Sequence, residues 1–229
     1  MKTYAVKELY YTLQGEGAQT GRAAVFLRFT GCNLWTGRDQ DRGKGAGGCS
    51  AWCDTDFVGT DGPGGGRYAA DDLATAVART WAGAGGDRLV VCTGGEPLLQ
   101  LDAPLIAALH ERGFAIAIET NGTQPIPAGI DWVCVSPKAG APLVVDRGDE
   151  LKLVFPQPGV PPASVEHLGF RHFFLQPLDG PDAGQHPGLP RLLPRPPAVA
   201  HLAADPQAAA DPVTPSTLTL SLSLTATSK

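Results

Sequence analysis

The sequence predicts an α/β protein whose sheet forms an incomplete parallel (β/α) barrel. Short β-branched runs alternate with segments of helical periodicity through the middle of the chain. The runs are apolar throughout rather than alternating, the pattern of strands covered on both faces. Six such strands are visible, which suits an open or partial barrel better than a complete eight-fold one.

Each element follows from its own residues. "AAVFLRFT" (Ala23–Thr30) is the first buried strand. "AADDLATAVARTWA" (Ala69–Ala82) places apolar residues at helical spacing and acids in the first turn. "RLVVCT" (Arg88–Thr93) is the second strand, and "PLIAALHERG" (Pro104–Gly113) is a helix ended by a glycine cap. "FAIAIET" (Phe114–Thr120), "DWVCVS" (Asp131–Ser136), "ELKLVF" (Glu150–Phe155) and "RHFFLQ" (Arg171–Gln176) complete the set. In folds of this kind the loops after the strands converge on one face and carry the chemistry. Those loops begin with Gly31-Cys32, Gly94-Gly95-Glu96-Pro97, Asn121-Gly122, Pro137-Lys138 and Pro177-Leu178-Asp179. Turns favour such residues in any protein; together with three nearby thiols they indicate a site.

Composition sets the limits. A chain of 229 residues with 43% apolar and 18% charged residues can bury one sizeable core. A net charge of −5 argues against a general nucleic-acid or membrane-surface binder, and no apolar run spans a bilayer. Met1 leads straight into an alternating segment with no signal-peptide core, so the expected compartment is the cytoplasm. In that reducing environment clustered cysteines point to metal or catalysis rather than disulfides.

Three of the five cysteines, Cys32, Cys49 and Cys53, stand together. Structural zinc wants a fourth Cys or His at short spacing, and the nearest histidine, His110, lies in a predicted helix. An iron–sulfur cube on three thiolates leaves one iron open to a small molecule. Spacing and compartment favour the cluster over zinc. Cys92 and Cys134, inside apolar strands, read as buried core thiols.

The three thiols after the first strand, with "TGGEP" (Thr93–Pro97) after the second, resemble radical S-adenosylmethionine (SAM) enzymes. "YYTLQGEG" (Tyr10–Gly17), "VFLRFTGCNLWTGR" (Val25–Arg38), "CDTDFVGT" (Cys53–Thr60), "IETNGT" (Ile118–Thr123), "SPK" (Ser136–Lys138) and "LQPLDG" (Leu175–Gly180) narrow this. Over the first 180 or so residues the chain resembles the 7-carboxy-7-deazaguanine synthase family, in its compact form with an enlarged cysteine loop. The resemblance implies an incomplete barrel of the radical SAM type. It also implies conversion of 6-carboxy-5,6,7,8-tetrahydropterin to 7-carboxy-7-deazaguanine, with loss of ammonia, on the route to queuosine. Implied with it are a homodimer, a small-molecule pterin substrate and an electron donor such as flavodoxin, with no nucleic-acid or membrane partner.

Carried onto these residues, the resemblance gives Cys32, Cys49 and Cys53 a [4Fe–4S] cluster. Trp52, Cys53, Asp54, Gly95, Ser136, Pro137, Lys138, Gln176, Pro177, Leu178 and Asp179 are then SAM contacts, with Glu96 a supporting acceptor. Leu13, Gln14, Gly15, Arg28 and Thr93 face the pterin. Arg28 suits the substrate carboxylate bidentately; its structural alternative is an ion pair with Glu16 or Glu119. Thr55 becomes a Mg²⁺ ligand, although by its residues alone it reads as a helix cap.

Two departures from the family pattern stand out. Sixteen residues separate Cys32 from Cys49 and three separate Cys49 from Cys53, both wider than in the compact members. From Pro181 to Lys229 the chain turns Pro-, Ala-, Ser- and Thr-rich without an aromatic residue, where the family has a helix, a strand and a histidine-bearing word. This 181–229 tail reads as disordered, or as a frameshifted reading after Gly180. A radical SAM domain over 1–180 is the expected unit. The competing functions are a glycyl-radical activating protein, which shares the "GGEP" logic, and a non-catalytic metal-binding module on the same fold.

Overall fold

The computed structural model describes residues 2–178 and a two-residue strand at Thr219–Leu220. One open sheet organises them. Its strands are β1 (Tyr4–Leu13), β2 (Ala23–Phe29), β3 (Gly66–Tyr68), β4 (Arg88–Gly94), β5 (Phe114–Thr120), β6 (Trp132–Val135), β7 (Arg147–Phe155), β8 (Gly169–Pro177) and β9 (Thr219–Leu220). They lie in the order β3-β1-β2-β4-β5-β6-β7-β8-β9. From β2 onward every neighbour is parallel, as the apolar runs predict, and the sheet is not closed.

The first strands depart from the expectation. β1, read in the sequence only as an alternating segment, is a ten-residue strand antiparallel to both β2 and β3. The sheet is therefore mixed. Its polar alternation fits an antiparallel strand near an edge, where one face is less deeply covered.

Helical cover is also uneven. α1 (Ala70–Thr80) and α2 (Ala103–Glu111) pack Leu73, Val77, Leu105 and Leu109 against Leu27, Phe29, Val90, Cys92, Ile116 and Ile118. α2 starts where the Asp102 carboxylate accepts from the Leu105 amide at 3.4 Å, with Pro104 in the first turn, a favoured start. The connections after β5, β6 and β7 contain no α-helix. Their sequences, "NGTQPIPAGI", "PKAGAP" and "PQPGVPPAS", place proline and glycine too densely for one. There the sheet is backed by Val145, Val165 and the strand residues Val135, Leu151, Leu153, Phe170 and Phe173.

The opposite, concave face follows a two-residue period. Its lower level is apolar, with Ala24, Leu89, Val91 and Ala117 buried beside Phe26, Ala115 and Trp132. One step further along the same strands stand Arg28, Thr93 and Glu119, and on β7 Lys152. The pleat thus separates a hydrophobic floor from a polar level at the carboxyl ends.

Close approach of β2 and β4 depends on Gly94. Its φ is +140°, and a side chain there would run into the carbonyl oxygen of Phe29. Gly94→Ala is expected to destabilise the fold by about 2 kcal/mol or more, read as a lowered midpoint in thermal unfolding followed by circular dichroism.

Candidate active site

A cavity of about 760 Å³ opens at the carboxyl ends of the parallel strands. It is lined from the end of β1 and the turn after it by Leu13, Gln14 and Gly15, from β2 by Phe26 and Arg28, and from the cysteine loop by Cys32, Cys49, Trp52, Cys53, Asp54 and Thr55. Thr93, Gly95, Glu119, Asn121, Ser136, Lys138, Lys152, Gln176, Pro177 and Leu178 also line the wall. The rule that loops after parallel strands carry the site therefore applies here, and residues far apart in sequence meet in one place.

The cysteine loop (31–57) is built around a small apolar cluster of its own. Trp35 meets Phe57 edge-on at 5.7 Å, and Leu34 and Phe57 are buried. Arg42 stacks over Trp35 at 5.2 Å and donates to the Cys53 carbonyl at 3.1 Å. The Cys53 amide donates to the Cys49 carbonyl at 2.7 Å, closing the turn that carries both thiols. The Leu34 amide points at the Cys32 sulfur, 3.4 Å away. All three thiols are free of disulfides. Burial pushes Cys49 up to about 11 and also raises Cys32, while the nearby Lys138 ammonium opposes the rise at Cys49.

The donor set fits a cluster better than a single ion. Four thiolates on zinc, with bonds of about 2.3 Å, stand only about 4 Å apart. The three sulfurs here do not draw within 4.8 Å of one another; among the described residues the one such convergence is Glu119, Cys134 and Glu150. Three thiols spread around one cavity, with an amide aimed at one sulfur, suit a cube with one thiolate per iron. Cys134 accordingly is a buried thiol, but it stands beside these carboxylates rather than in an apolar core.

Two predicted roles change in the structure. Glu96 does not line the cavity: its buried carboxylate accepts from the Leu98 amide at 3.0 Å, the Thr120 hydroxyl at 2.8 Å and the Asn121 amide at 2.8 Å. These bonds offset a burial that pushes its pKa up. It is a stitch between the loops after β4 and β5, not an acceptor for a cofactor. Gly95 does line the cavity, yet a side chain there would already meet Gly31 and, at 2.6 Å, the Cβ of Cys32. Packing against the cysteine loop alone requires glycine.

Arg28 reaches the cavity, but its partner is neither Glu16 nor Glu119. Its Nε donates to Glu8 Oε1 at 2.6 Å, because the antiparallel register sets Glu8 opposite Arg28. Glu16 and Glu119 instead take Lys152, whose Nζ stands 2.6 Å and 2.7 Å from them. Glu119 also accepts from Gln14 at 3.2 Å, and Glu150 accepts from the Ala18 amide at 2.8 Å. Lys152 was missed in the sequence, and Glu119 was named there only as a possible partner of Arg28. The available signal was a lysine flanked by leucines in a buried strand, where a cation needs partners.

Thr55 is not a helix cap, since no helix follows it; it lines the cavity beside Asp54. Pro137 lies behind the wall, where its carbonyl accepts from Gln157 at 3.1 Å. Asp179 and most of the 181–229 tail lie outside the described residues; within that tail Thr219–Leu220 pairs with Phe174–Leu175, a strand the composition did not suggest.

A partial barrel whose cysteine loop, glycine turn and strand-end residues meet in one cavity defines a radical SAM enzyme, which works with a [4Fe–4S] cluster and SAM. The chain is 64% identical over 184 residues to the 7-carboxy-7-deazaguanine synthase of Bordetella pertussis, covering 80% of this chain and 86% of that one. With the 7-carboxy-7-deazaguanine synthase of Caulobacter vibrioides the identity is 59% over 206 residues, covering 90% and 93%. The crystal structure of QueE from Escherichia coli superposes with a TM-score of 0.54 at 26% identity, over 80% of this chain and 86% of that one. No protein-family model matches the chain. The chain belongs to the 7-carboxy-7-deazaguanine synthase family. Membership favours a lyase of deazapurine synthesis over the activating-protein and non-catalytic readings. No helix among the described residues is long and apolar enough to cross a membrane.

Lys152→Met would leave Glu16 and Glu119 facing each other without their cation. The expected cost is about 3 kcal/mol, measured by chemical denaturation. Lys152→Met with Glu119→Gln should recover part of that loss.

Proposed function

We propose that this chain converts 6-carboxy-5,6,7,8-tetrahydropterin to 7-carboxy-7-deazaguanine, releasing ammonia, at the cavity described above. The observation that carries the reading is the meeting of three spread thiols with strand-end residues from across the parallel sheet in one cavity. Cys32, Cys49 and Cys53 hold the [4Fe–4S] cluster. Trp52, Asp54, Gly95, Ser136, Lys138, Gln176, Pro177 and Leu178 bind SAM around it, with Pro137 behind them; Asp179 is assigned to the same task by the family resemblance alone. When bound, cluster and SAM supply the radical chemistry, and the protein contributes binding and orientation.

On the substrate side, Leu13, Gln14, Gly15 and Thr93 offer backbone, amide and hydroxyl groups to the pterin. Arg28 holds the carboxylate, and its bond to Glu8 uses Nε, leaving the outer guanidinium nitrogens for that task. Glu119 and Lys152 add a charged pair at the same level of the pleat, able to read the ring's donors and acceptors. Tyr10 and Phe26, stacked at 5.7 Å, give an apolar wall that excludes water. Thr55 would supply one protein oxygen to Mg²⁺, an ion whose reluctance to dehydrate suits so sparse a protein ligand set. A homodimer and a flavodoxin-type electron donor complete the assignment, in the cytoplasm.

The tail belongs to the same proposal: residues 1–180 are the catalytic unit, and the aromatic-free segment 181–229 is a frameshifted reading. Translating the other two frames of the gene after Gly180 should recover a helix–strand end; no such end in either frame overturns that part.

Anaerobic reconstitution with iron and sulfide tests the whole. The expected product is a brown protein that cleaves SAM and turns over the carboxytetrahydropterin, with stimulation by Mg²⁺. Cys32→Ala, Cys49→Ala and Cys53→Ala should each lose the absorbance near the visible cluster band together with SAM cleavage. A Cys49→Ala protein that still assembles an active cluster would remove the thiol assignment. SAM cleavage without pterin turnover would remove the substrate assignment.

A further inference from the structure

Lys7 lies at the irregularity in β1 where the register against β2 shifts between Val6 and Glu8. Its side chain is only 9% exposed, yet its ammonium meets three oxygens. Asp56 Oδ2 and Asp61 Oδ1 stand at 2.8 Å and the Val58 carbonyl at 2.9 Å. Three acceptors satisfy all three donors of an ammonium. Every one of them comes from the segment that leaves Thr55.

The backbone repeats the grip. The Lys7 carbonyl accepts from the Gly62 amide at 3.0 Å, and the Leu9 amide donates to the Pro63 carbonyl at 2.7 Å. A side chain on Gly62 would stand 2.6 Å from the Lys7 carbonyl oxygen, so the loop passes β1 at backbone distance. The Gly31 amide donates to the Phe57 carbonyl at 3.3 Å, tying the segment to the strand end that bears Cys32. Exposed ion pairs contribute little by themselves. This one differs because its cation is buried and its partners flank one short stretch of loop.

We propose that Lys7 is a positioning residue: it draws the segment after Cys53 onto β1 and so fixes where the Thr55 hydroxyl stands in the cavity. The proposal rests on the reading of Thr55 as a Mg²⁺ ligand. Cluster assembly does not depend on it, because Cys53 is held separately by the Cys49 carbonyl and by Arg42.

The test uses the reconstituted full chain with SAM and the carboxytetrahydropterin under anaerobic conditions, and Mn²⁺ as a spin probe for the Mg²⁺ position. Lys7→Met should weaken Mn²⁺ binding about tenfold by electron paramagnetic resonance titration. Its cluster absorbance and KM for SAM should stay within twofold of the natural chain. Lys7→Arg should recover most of the affinity, and Asp61→Asn, a change at an exposed side chain, should shift it in the same direction by a smaller factor. Unchanged Mn²⁺ affinity in both Lys7→Met and Asp61→Asn, with binding by the natural chain intact, overturns the role of Lys7 alone. Equal loss of Mn²⁺ binding, cluster and SAM affinity in Lys7→Met, with Asp61→Asn unaltered, also overturns it by showing a general structural part. A natural chain that binds no Mn²⁺, or a Thr55→Ala variant that binds it equally well, overturns the Thr55 reading and the proposal with it.

Discussion

A single buried carboxylate sets the site's geometry. Glu96 takes three hydrogen bonds, one from the last residue of β5 and one from the first residue of the loop after it, while its own amide donates to the Gly31 carbonyl at 3.0 Å. Three strand ends are thereby joined through one residue. Removing a partner of such a group leaves an unsatisfied charge in a low-dielectric setting, the costly side of the hydrogen-bond balance. Asn121, fixed by that bond, donates in turn to Asn33 at 3.0 Å, and Asn33 to Thr123 at 2.8 Å. The start of the cysteine loop is therefore held by the strands beside it before any cofactor arrives.

The site then divides into regions of different physical character. On one side the thiols and Lys138 make a partly desolvated pocket in which burial raises Cys32 and Cys49 and lowers the Lys138 ammonium. A positively charged iron centre would reverse the first effect, since a coordinating thiol is deprotonated outright. On the other side Lys152 bridges Glu16 and Glu119 and anchors the "QGEG" turn to β7. Gly17 belongs to that anchor, with φ of +68° and no room for a side chain against the Glu150 carboxylate. The "QGEG" turn is tied down by charge, whereas the cysteine turn is tied down mainly by aromatic packing and backbone bonds.

The parallel strands and the two α-helices were legible because their patterns are local: apolar runs and helical spacing need no knowledge of neighbours. So was the gathering of strand-end turns, which follows from parallel topology alone. The partners of Arg28 were not legible. They depend on an antiparallel register set by a hairpin-like return of the chain and by an irregularity at Val6–Glu8. Lys152 was hidden for a similar reason, since its carboxylates come from 136 and 33 residues away in sequence. Glu96 was misread because a motif names which residues recur, not which way a side chain turns. Thr55 between two aspartates imitates a helix start, and only the glycine-rich segment that follows tells otherwise.

The two-level concave face has a consequence for how such a chain can vary. Shifting any of these strands by one residue would turn Arg28, Thr93, Glu119 or Lys152 toward the outer core and bring a neighbour such as Leu27, Cys92, Ile118 or Leu151 to the cavity face. Strand lengths are thus locked to the pleat, and insertions are confined to the stretches beyond the strand ends. The glycine-rich run Arg42–Gly48 lies in such a stretch, held by backbone bonds to Leu34, Ser50 and Ala139, so any added length there has to keep those contacts. In this architecture the chain's room for change in length is greatest beside its chemistry, and least in the sheet that supports it.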